Sequence, residues 1–258
     1  MNPTLFAFLI SLFAGLSTAI GGLVPLFTDR RSTRFLCFSL GLSAGVMVYV
    51  SFMEMLPEAI ASLGAYYSRR TAGLMALAFF LIGMAVIALI DRLVPENDNP
   101  HEFGSARKGG DLGKMGLLSA LAIAVHNFPE GLATFMSALE DPVSGVSIAI
   151  AIALHNIPEG ITVASPVYHS SGRRLKAFLL ALGSGIAEPV GALLGFLFLS
   201  SVFTPFTSAL VYALVAGIMV YLAFDELLPT AENYGHHHLV TYAVIIGMVL
   251  MGLTLALL

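Results

Sequence analysis

Two copies of one polar motif interrupt apolar segments in the middle of the chain. LAIAVHNFPEG spans 121–131, and IAIALHNIPEG begins 29 residues later and spans 150–160. Both copies contain His-Asn-x-Pro-Glu-Gly in surroundings where polar side chains are expensive to bury. Because the same residues recur in the same order, the two motifs are the first candidates for function.

The spacing within each motif places its polar side chains on one face of a helix. His126 and Glu130 are four residues apart, and Asn127 and Glu130 are three apart. The second motif repeats this spacing with His155, Asn156 and Glu159. Nitrogen and oxygen ligands of this kind suit Zn²⁺, Fe²⁺, Mn²⁺ and similar divalent ions, and the single cysteine excludes a thiolate cluster.

Proline lies beside the candidate ligands in both motifs. Pro129 and Pro158 have no N–H, so they cannot donate to the carbonyls of Val125 and Leu154 and should bend their helices. The glycine that ends each motif should allow close helix approach. Glu188, in the sequence AEPVG, is another carboxylate followed by proline in an apolar segment. We expect it to form a third wall of the same site.

The composition is that of an integral membrane protein. Of the 258 residues, 57% are hydrophobic and only 11% are charged, whereas a soluble domain has about 25% charged residues. The mean hydropathy is +0.89. A net charge of −4 does not indicate a nucleic-acid partner. The N-terminal MNPTLFAFLI has no basic region or small-residue cleavage site, which favours a retained helix over a signal peptide.

Eight segments are long and apolar enough to cross a bilayer, which needs roughly 20 residues. We therefore predict an all-α membrane protein with one integral domain over 1–258 and a mobile, polar cytoplasmic loop over 92–113. The predicted segments are 4–26, 35–60, 71–91, 114–138, 143–166, 175–200, 205–231 and 238–258.

The distribution of lysine and arginine predicts the orientation, because cytoplasmic loops are enriched in both. Ten of the twelve lie in alternate loops, and the opposite side has only Arg69 and Arg70. With eight crossings, both termini lie outside and the 92–113 loop lies in the cytoplasm. The predicted location is the plasma membrane, which is the inner membrane of a bacterium. The ten residues are Arg30, Arg31, Arg34, Arg92, Arg107, Lys108, Lys114, Arg173, Arg174 and Lys176.

Internal repeats relate the two halves of the chain. AGVMVYVSFMEMLPEA at 44–59 and AGIMVYLAFDELLPTA at 216–231 are identical at ten of sixteen positions. These sequences lie in the second and seventh segments, which cross in opposite directions. Segments one to three are therefore predicted to repeat as six to eight, inverted, around a central pair formed by segments four and five. Inverted repeats are typical of transporters with a substrate site near the membrane midplane.

The paired motifs, the AEPVG segment and the eight crossings resemble the ZIP family of divalent metal transporters, in particular its bacterial type. The resemblance covers essentially the whole chain. It implies a transporter rather than an enzyme. The transporter would import zinc, with iron, manganese, cobalt or cadmium as further substrates, and would use no separate cofactor. It also implies an elevator-like motion of segments one, four, five and six, and a homodimer formed in the lipid bilayer by the remaining segments.

The resemblance also implies a ligand set, which includes Glu54 in the second segment at the position of an auxiliary ligand in some members. The implied metal ligands are His126, Asn127, Glu130, His155, Asn156, Glu159, Glu188 and Glu54.

Other interpretations of the residues remain open. The motifs could serve interhelical hydrogen bonding between kinked helices, although ionisable residues within membranes are generally functional. A membrane metallohydrolase would use a bound metal to activate water, but HExxH is absent. A metal exporter could use the same ligands. The run at 236–238 is either a cluster that passes metal on or a solvated histidine run.

Overall fold

The computed structural model describes residues 2–29, 31–93, 112–199 and 204–257, and these residues are helical apart from short connections. The central part of the predicted mobile loop, 94–111, lies outside the described residues, as does His101. The α-helices are α1 (Pro3–Leu23), α2 (Thr33–Val50), α3 (Leu56–Gly64), α4 (Arg69–Leu93), α5 (Leu112–Glu140), α6 (Pro142–Ser171), α7 (Arg174–Leu194), α8 (Pro205–Leu222), α9 (Leu228–Glu232) and α10 (His237–Leu257).

Seven helical stretches within the described residues are long and apolar enough to span a bilayer, and they correspond to all the predicted segments except the fourth. The fourth segment forms α5, which at 29 residues has sufficient length. The chain is therefore an all-α, multi-pass membrane protein, as the composition predicts.

Short polar sequences and glycines define the helix ends. The side chains of Asn2 and Ser32 accept hydrogen bonds from the first turns of α1 and α2. Thr204 and Thr207 form a reciprocal capping arrangement at the start of α8. After α6 and α9 the chain turns through residues with positive φ, which are Gly172 at 66° and Gly235 at 78°.

The second and seventh predicted segments each consist of two α-helices joined by a π-helical turn. These turns are Ser51–Met55, between α2 and α3, and Ala223–Leu227, between α8 and α9. Each is followed by Leu-Pro, and a proline removes one helical hydrogen bond, which the wider π turn accommodates. The two turns occupy equivalent positions of the sequence repeat.

The helices pack as two groups. The site group consists of α1, α5, α6 and α7, which all contact one another. The frame group consists of α2, α3, α4, α8, α9 and α10, in which α2 packs on α10 and α4 packs on α8. Fewer contacts join the groups, mainly between α2 and α6 and between α5 and α8.

Close backbone approaches at glycines follow the same pairing in both halves. A Cβ added to Gly45 would collide with the carbonyl of Val244, and one added to Gly217 would collide with that of Phe80. In the site group, a Cβ on Gly21 would collide with the carbonyl of Ile157, and this matches the collision of Gly191 with Phe128. A second matched pair consists of Gly131 with the carbonyl of Glu188 and Gly160 with that of Thr18. Small residues at such crossings let helix backbones pack closely in a membrane.

The hydrophobic core differs between the two ends of the bundle. At the predicted cytoplasmic end, where α1 connects to α2 and α6 to α7, one cluster joins both groups; it contains Leu36 and Leu40 of α2 with Val163 and Val167 of α6. At the predicted outer end, the described clusters are separate. The site group has clusters around Phe135 and around Ile152, and the frame group has its own around Leu63 and Ala209.

Candidate metal site

Helices α5 and α6 bring the two motifs together in the middle of the site group. Nε2 of His126 lies 3.3 Å from Oε1 of Glu130 in its own helix and 3.3 Å from Oε1 of Glu159 in α6. Nε2 of His155 lies 3.3 Å from Oε1 of Glu130. The two imidazole centroids are 6.3 Å apart. Each motif therefore contributes to one shared cluster rather than to a site of its own.

The cluster is almost completely buried. The exposed fraction of the whole residue is 2% for His126, 1% for His155, 5% for Glu130 and 1% for Glu159. The described residues include no lysine or arginine in an ion pair with these carboxylates. Because an uncompensated buried charge is strongly unfavourable, the cluster has the electrostatic character of a cation site.

The asparagines attach the motifs to the neighbouring helices. Nδ2 of Asn127 donates to the carbonyl of Ser184 in α7 over 3.2 Å, and Nδ2 of Asn156 donates to the carbonyl of Ala14 in α1 over 3.1 Å. Asn156 also donates to Oε2 of Glu188 over 2.8 Å. Glu188 in α7 therefore lies beside the second motif.

Several buried acceptors of the two motifs and of Glu188 have no hydrogen-bond partner within the described residues. They are Oδ1 of both asparagines, Oε2 of Glu159, and Oε1 of Glu188. One ligand atom each from His126, Glu130 and His155 lie within 4.8 Å of one another, a spacing compatible with ligands about 2.0–2.2 Å from one ion. The arrangement offers a nitrogen-containing part and an oxygen-only part.

Glu54 lies in the π turn that follows α2, towards the predicted outer end of the bundle. It is partly buried, and its Oε2 has no hydrogen-bond partner within the described residues.

The repeat counterpart of Glu54 is Glu226, which sequence reasoning did not include in the site. It lies in the second π turn, is 5% exposed, and accepts a hydrogen bond from the Ser119 hydroxyl over 3.3 Å. The sequence match between 44–59 and 216–231 aligns these two glutamates, so the repeat itself was the available indication.

The remaining described histidines lie at the predicted cytoplasmic end. Nε2 of His236 is 3.1 Å from the hydroxyl of Thr33, and Nδ1 of the exposed His237 is 2.8 Å from Oε1 of Glu232. The ring of His238 stacks on a tyrosine of the next turn, and that of His169 meets Tyr234 edge-on at 5.8 Å. These side chains are paired locally and are separate from the central cluster.

Comparison with known sequences identifies the family. A sequence model described as ZIP Zinc transporter matches residues 3–109 and 95–255. A protein of Chlorobium chlorochromatii called Zinc transporter ZupT is 50% identical over 261 residues, covering 98% of this chain and 97% of its own length. Proteins with the same name from Corynebacterium glutamicum and Streptococcus mutans are 50% and 45% identical, and this chain covers 99% of each.

Proposed function

The chain belongs to the ZIP zinc transporter family, and we propose that it imports zinc across the plasma membrane into the cytoplasm. The observation that carries this proposal is the buried cluster of His126, Glu130, His155 and Glu159, in which two helices share their ligands. Mixed nitrogen and oxygen ligands also accept iron, manganese, cobalt and cadmium, so these ions are further candidate substrates. The ZupT relatives are named as transporters, which favours transport over a membrane hydrolase.

The proposed ligands are the complete set that the sequence indicates. His126, His155 and Glu130 would hold the ion through nitrogen and oxygen, and Glu159 would bridge to the oxygen-only part. Asn127, Asn156 and Glu188 would supply that part, and Glu54 would receive the ion from the outer side. The free acceptor oxygens of Glu159, Glu188 and both asparagines support these roles.

We further propose an inverted-repeat architecture of eight crossings, with segments one to three related to six to eight around α5 and α6. The matched glycine contacts, the two π turns and the mirrored asparagine bonds support it. Both termini would then lie outside, as the distribution of lysine and arginine predicts.

Transport would proceed by motion of the site group against the frame group, in the manner of an elevator. The contacts between the groups are concentrated at the predicted cytoplasmic end. There Leu40 and Val167 share one core cluster. Nearer the middle, the Ser43 hydroxyl donates across the two groups to the carbonyl of Pro158 over 2.8 Å. The separate core clusters at the other end favour a conformation that is closed to the cytoplasm and accessible from outside.

The frame group is the proposed dimerisation surface. Helices α4 and α10 expose large apolar side chains such as Leu77, Leu81 and Val249, which must be covered by lipid or by a second copy. A homodimer would keep this group fixed while the site group moves in each protomer.

Flux through reconstituted vesicles tests the function. Vesicles that contain a trapped zinc-sensitive dye are compared for the unmodified protein and for His126→Ala/His155→Ala. We expect zinc uptake by the former and none above protein-free vesicles by the latter. Absence of uptake by the unmodified protein, or equal uptake by both, would reject the proposal; hydrolysis of added peptide or lipid would favour the hydrolase instead.

A cross-link between the two groups tests their relative motion. His169→Cys and Tyr234→Cys would be introduced together with Cys37→Ala and joined by a short bifunctional thiol reagent, because the two native rings are in contact. We expect the cross-linked protein to bind zinc but not to transport it. The same variant without the reagent is the control, and unimpaired flux after complete cross-linking would exclude the proposed motion.

A further inference from the structure

Thr18 of α1 occupies the place that Glu188 occupies in α7. A Cβ added to Gly185 would lie 2.8 Å from Cβ of Thr18, and one added to Gly15 would lie 3.1 Å from Cβ of Glu188. In addition, Gly160 approaches the carbonyl of Thr18, and Gly131 approaches the carbonyl of Glu188. Thr18 and Glu188 are therefore equivalent positions on the two helices that flank the site.

The neighbouring asparagine bonds are consistent with this equivalence. Asn156 donates to the carbonyl of Ala14, four residues before Thr18, and Asn127 donates to the carbonyl of Ser184, four residues before Glu188. The Glu188 carboxylate reaches Asn156. The same relation would place the shorter side chain of Thr18 on the Asn127 side of the site.

Thr18 is fully buried, with an exposed fraction of 0%. Its hydroxyl makes no hydrogen bond within the described residues. A threonine inside a helix usually donates to the carbonyl four residues earlier. Thr162 does so, over 3.1 Å to the carbonyl of Pro158. For Thr18 that carbonyl belongs to Ala14, and it accepts from Asn156 and from the Ser17 hydroxyl instead.

Two other buried hydroxyls, of Thr134 and Ser165, also have no partner within the described residues. Their counterparts in the 29-residue repeat are Val163 and Met136, which are apolar. Thr18 differs from both because its counterpart is a carboxylate of the site.

We propose that the Thr18 hydroxyl is a neutral oxygen ligand of the transported ion on the Asn127 side of the site. This inference rests on the proposed metal-binding function. The site would then have a carboxylate on α7 and an uncharged oxygen at the equivalent point of α1. Its three carboxylates would be Glu130, Glu159 and Glu188. It would therefore hold a divalent ion less strongly than a symmetric site with a fourth carboxylate at the position of Thr18.

Zinc binding to the purified protein tests this role, with radioactive zinc and equilibrium dialysis as the measurement. Thr18→Val keeps the shape and removes the hydroxyl, whereas Thr18→Ser keeps the hydroxyl and removes the methyl group. Thr162→Val is the matched control, because this buried threonine has a local partner. Loss of a residue that only orients a metal ligand typically weakens affinity about 10–100-fold. We therefore expect at least about a tenfold loss in Thr18→Val, where a direct ligand would be removed.

Thr18→Ser and Thr162→Val should bind zinc within about twofold of the unmodified protein, well below the effect expected for a lost partner. Unchanged affinity in Thr18→Val would overturn the inference. Equal weakening in Thr18→Val and Thr18→Ser would also overturn it, because the methyl group and packing would then be responsible. If the unmodified protein binds no zinc, the proposed function fails; if it binds zinc and Thr18→Val binds equally well, only this inference fails.

Discussion

Replacing Glu130 by glutamine removes one charge from the centre of the cluster without changing its shape. The carboxylate lies 3.3 Å from the nearest nitrogen of both His126 and His155, so it is the acid shared by both motifs. Two unit charges about 4 Å apart interact by about 4 kcal/mol at an effective dielectric constant of about 20. A divalent ion would double this attraction, and the cost of dehydrating the carboxylate opposes it.

We take at least about 3 kcal/mol as the net loss, which corresponds to roughly a 150-fold weaker zinc affinity. The assay is equilibrium zinc binding to the purified protein, followed by flux in vesicles. Glu232→Gln is the matched control, because Glu232 is an exposed glutamate that pairs with His237 at the bundle end. A change of less than about fivefold for Glu130→Gln, which is near 1 kcal/mol, would refute the placement of the ion between the two histidines.

Three further outcomes are expected. Gly131→Ala would press a methyl group against the carbonyl of Glu188 and should lower the free energy of unfolding by about 1–3 kcal/mol. Gly73→Ala is the control, because the added methyl group would enter open space and should not lower it. Thermal melting in detergent measures both. Ser43→Ala removes the hydrogen bond to Pro158, so it should weaken the proposed closure towards the cytoplasm by about 1 kcal/mol. The measurement is the rate of thiol labelling at the cytoplasmic end, which should increase. Zinc at 100 times its dissociation constant should stabilise the folded protein by about 2.7 kcal/mol, and a chelator should reverse this.

The central part of the site could be predicted from the sequence because its spacing is local. Residues four apart on a helix share a face, so His126 and Glu130 had to project together. The repeat then required a second helix to meet the first. The contact of Glu188 with Asn156 needed the additional inference that a third apolar segment passes alongside.

The features that sequence reasoning missed depend on packing between distant segments. The π turns Ser51–Met55 and Ala223–Leu227 arise where a proline removes a hydrogen bond, and periodicity over an apolar segment does not distinguish them from an ordinary helix. The different packing at the two ends of the bundle depends on contacts between helices that are far apart in the sequence. The sequence alone does not distinguish Thr18 from other threonines in membrane helices. Its equivalence to Glu188 becomes apparent only when α1 is aligned with α7.

The most direct test of the shared site is an anomalous-scattering map of the protein crystallised with zinc. The ligand set predicts a zinc peak about 2.0–2.2 Å from Nε2 of His126, Nε2 of His155 and an oxygen of Glu130. A peak with that coordination would establish that the two motifs hold one ion. Zinc bound only at the 236–238 histidines, or only to one of the two motifs, would contradict it.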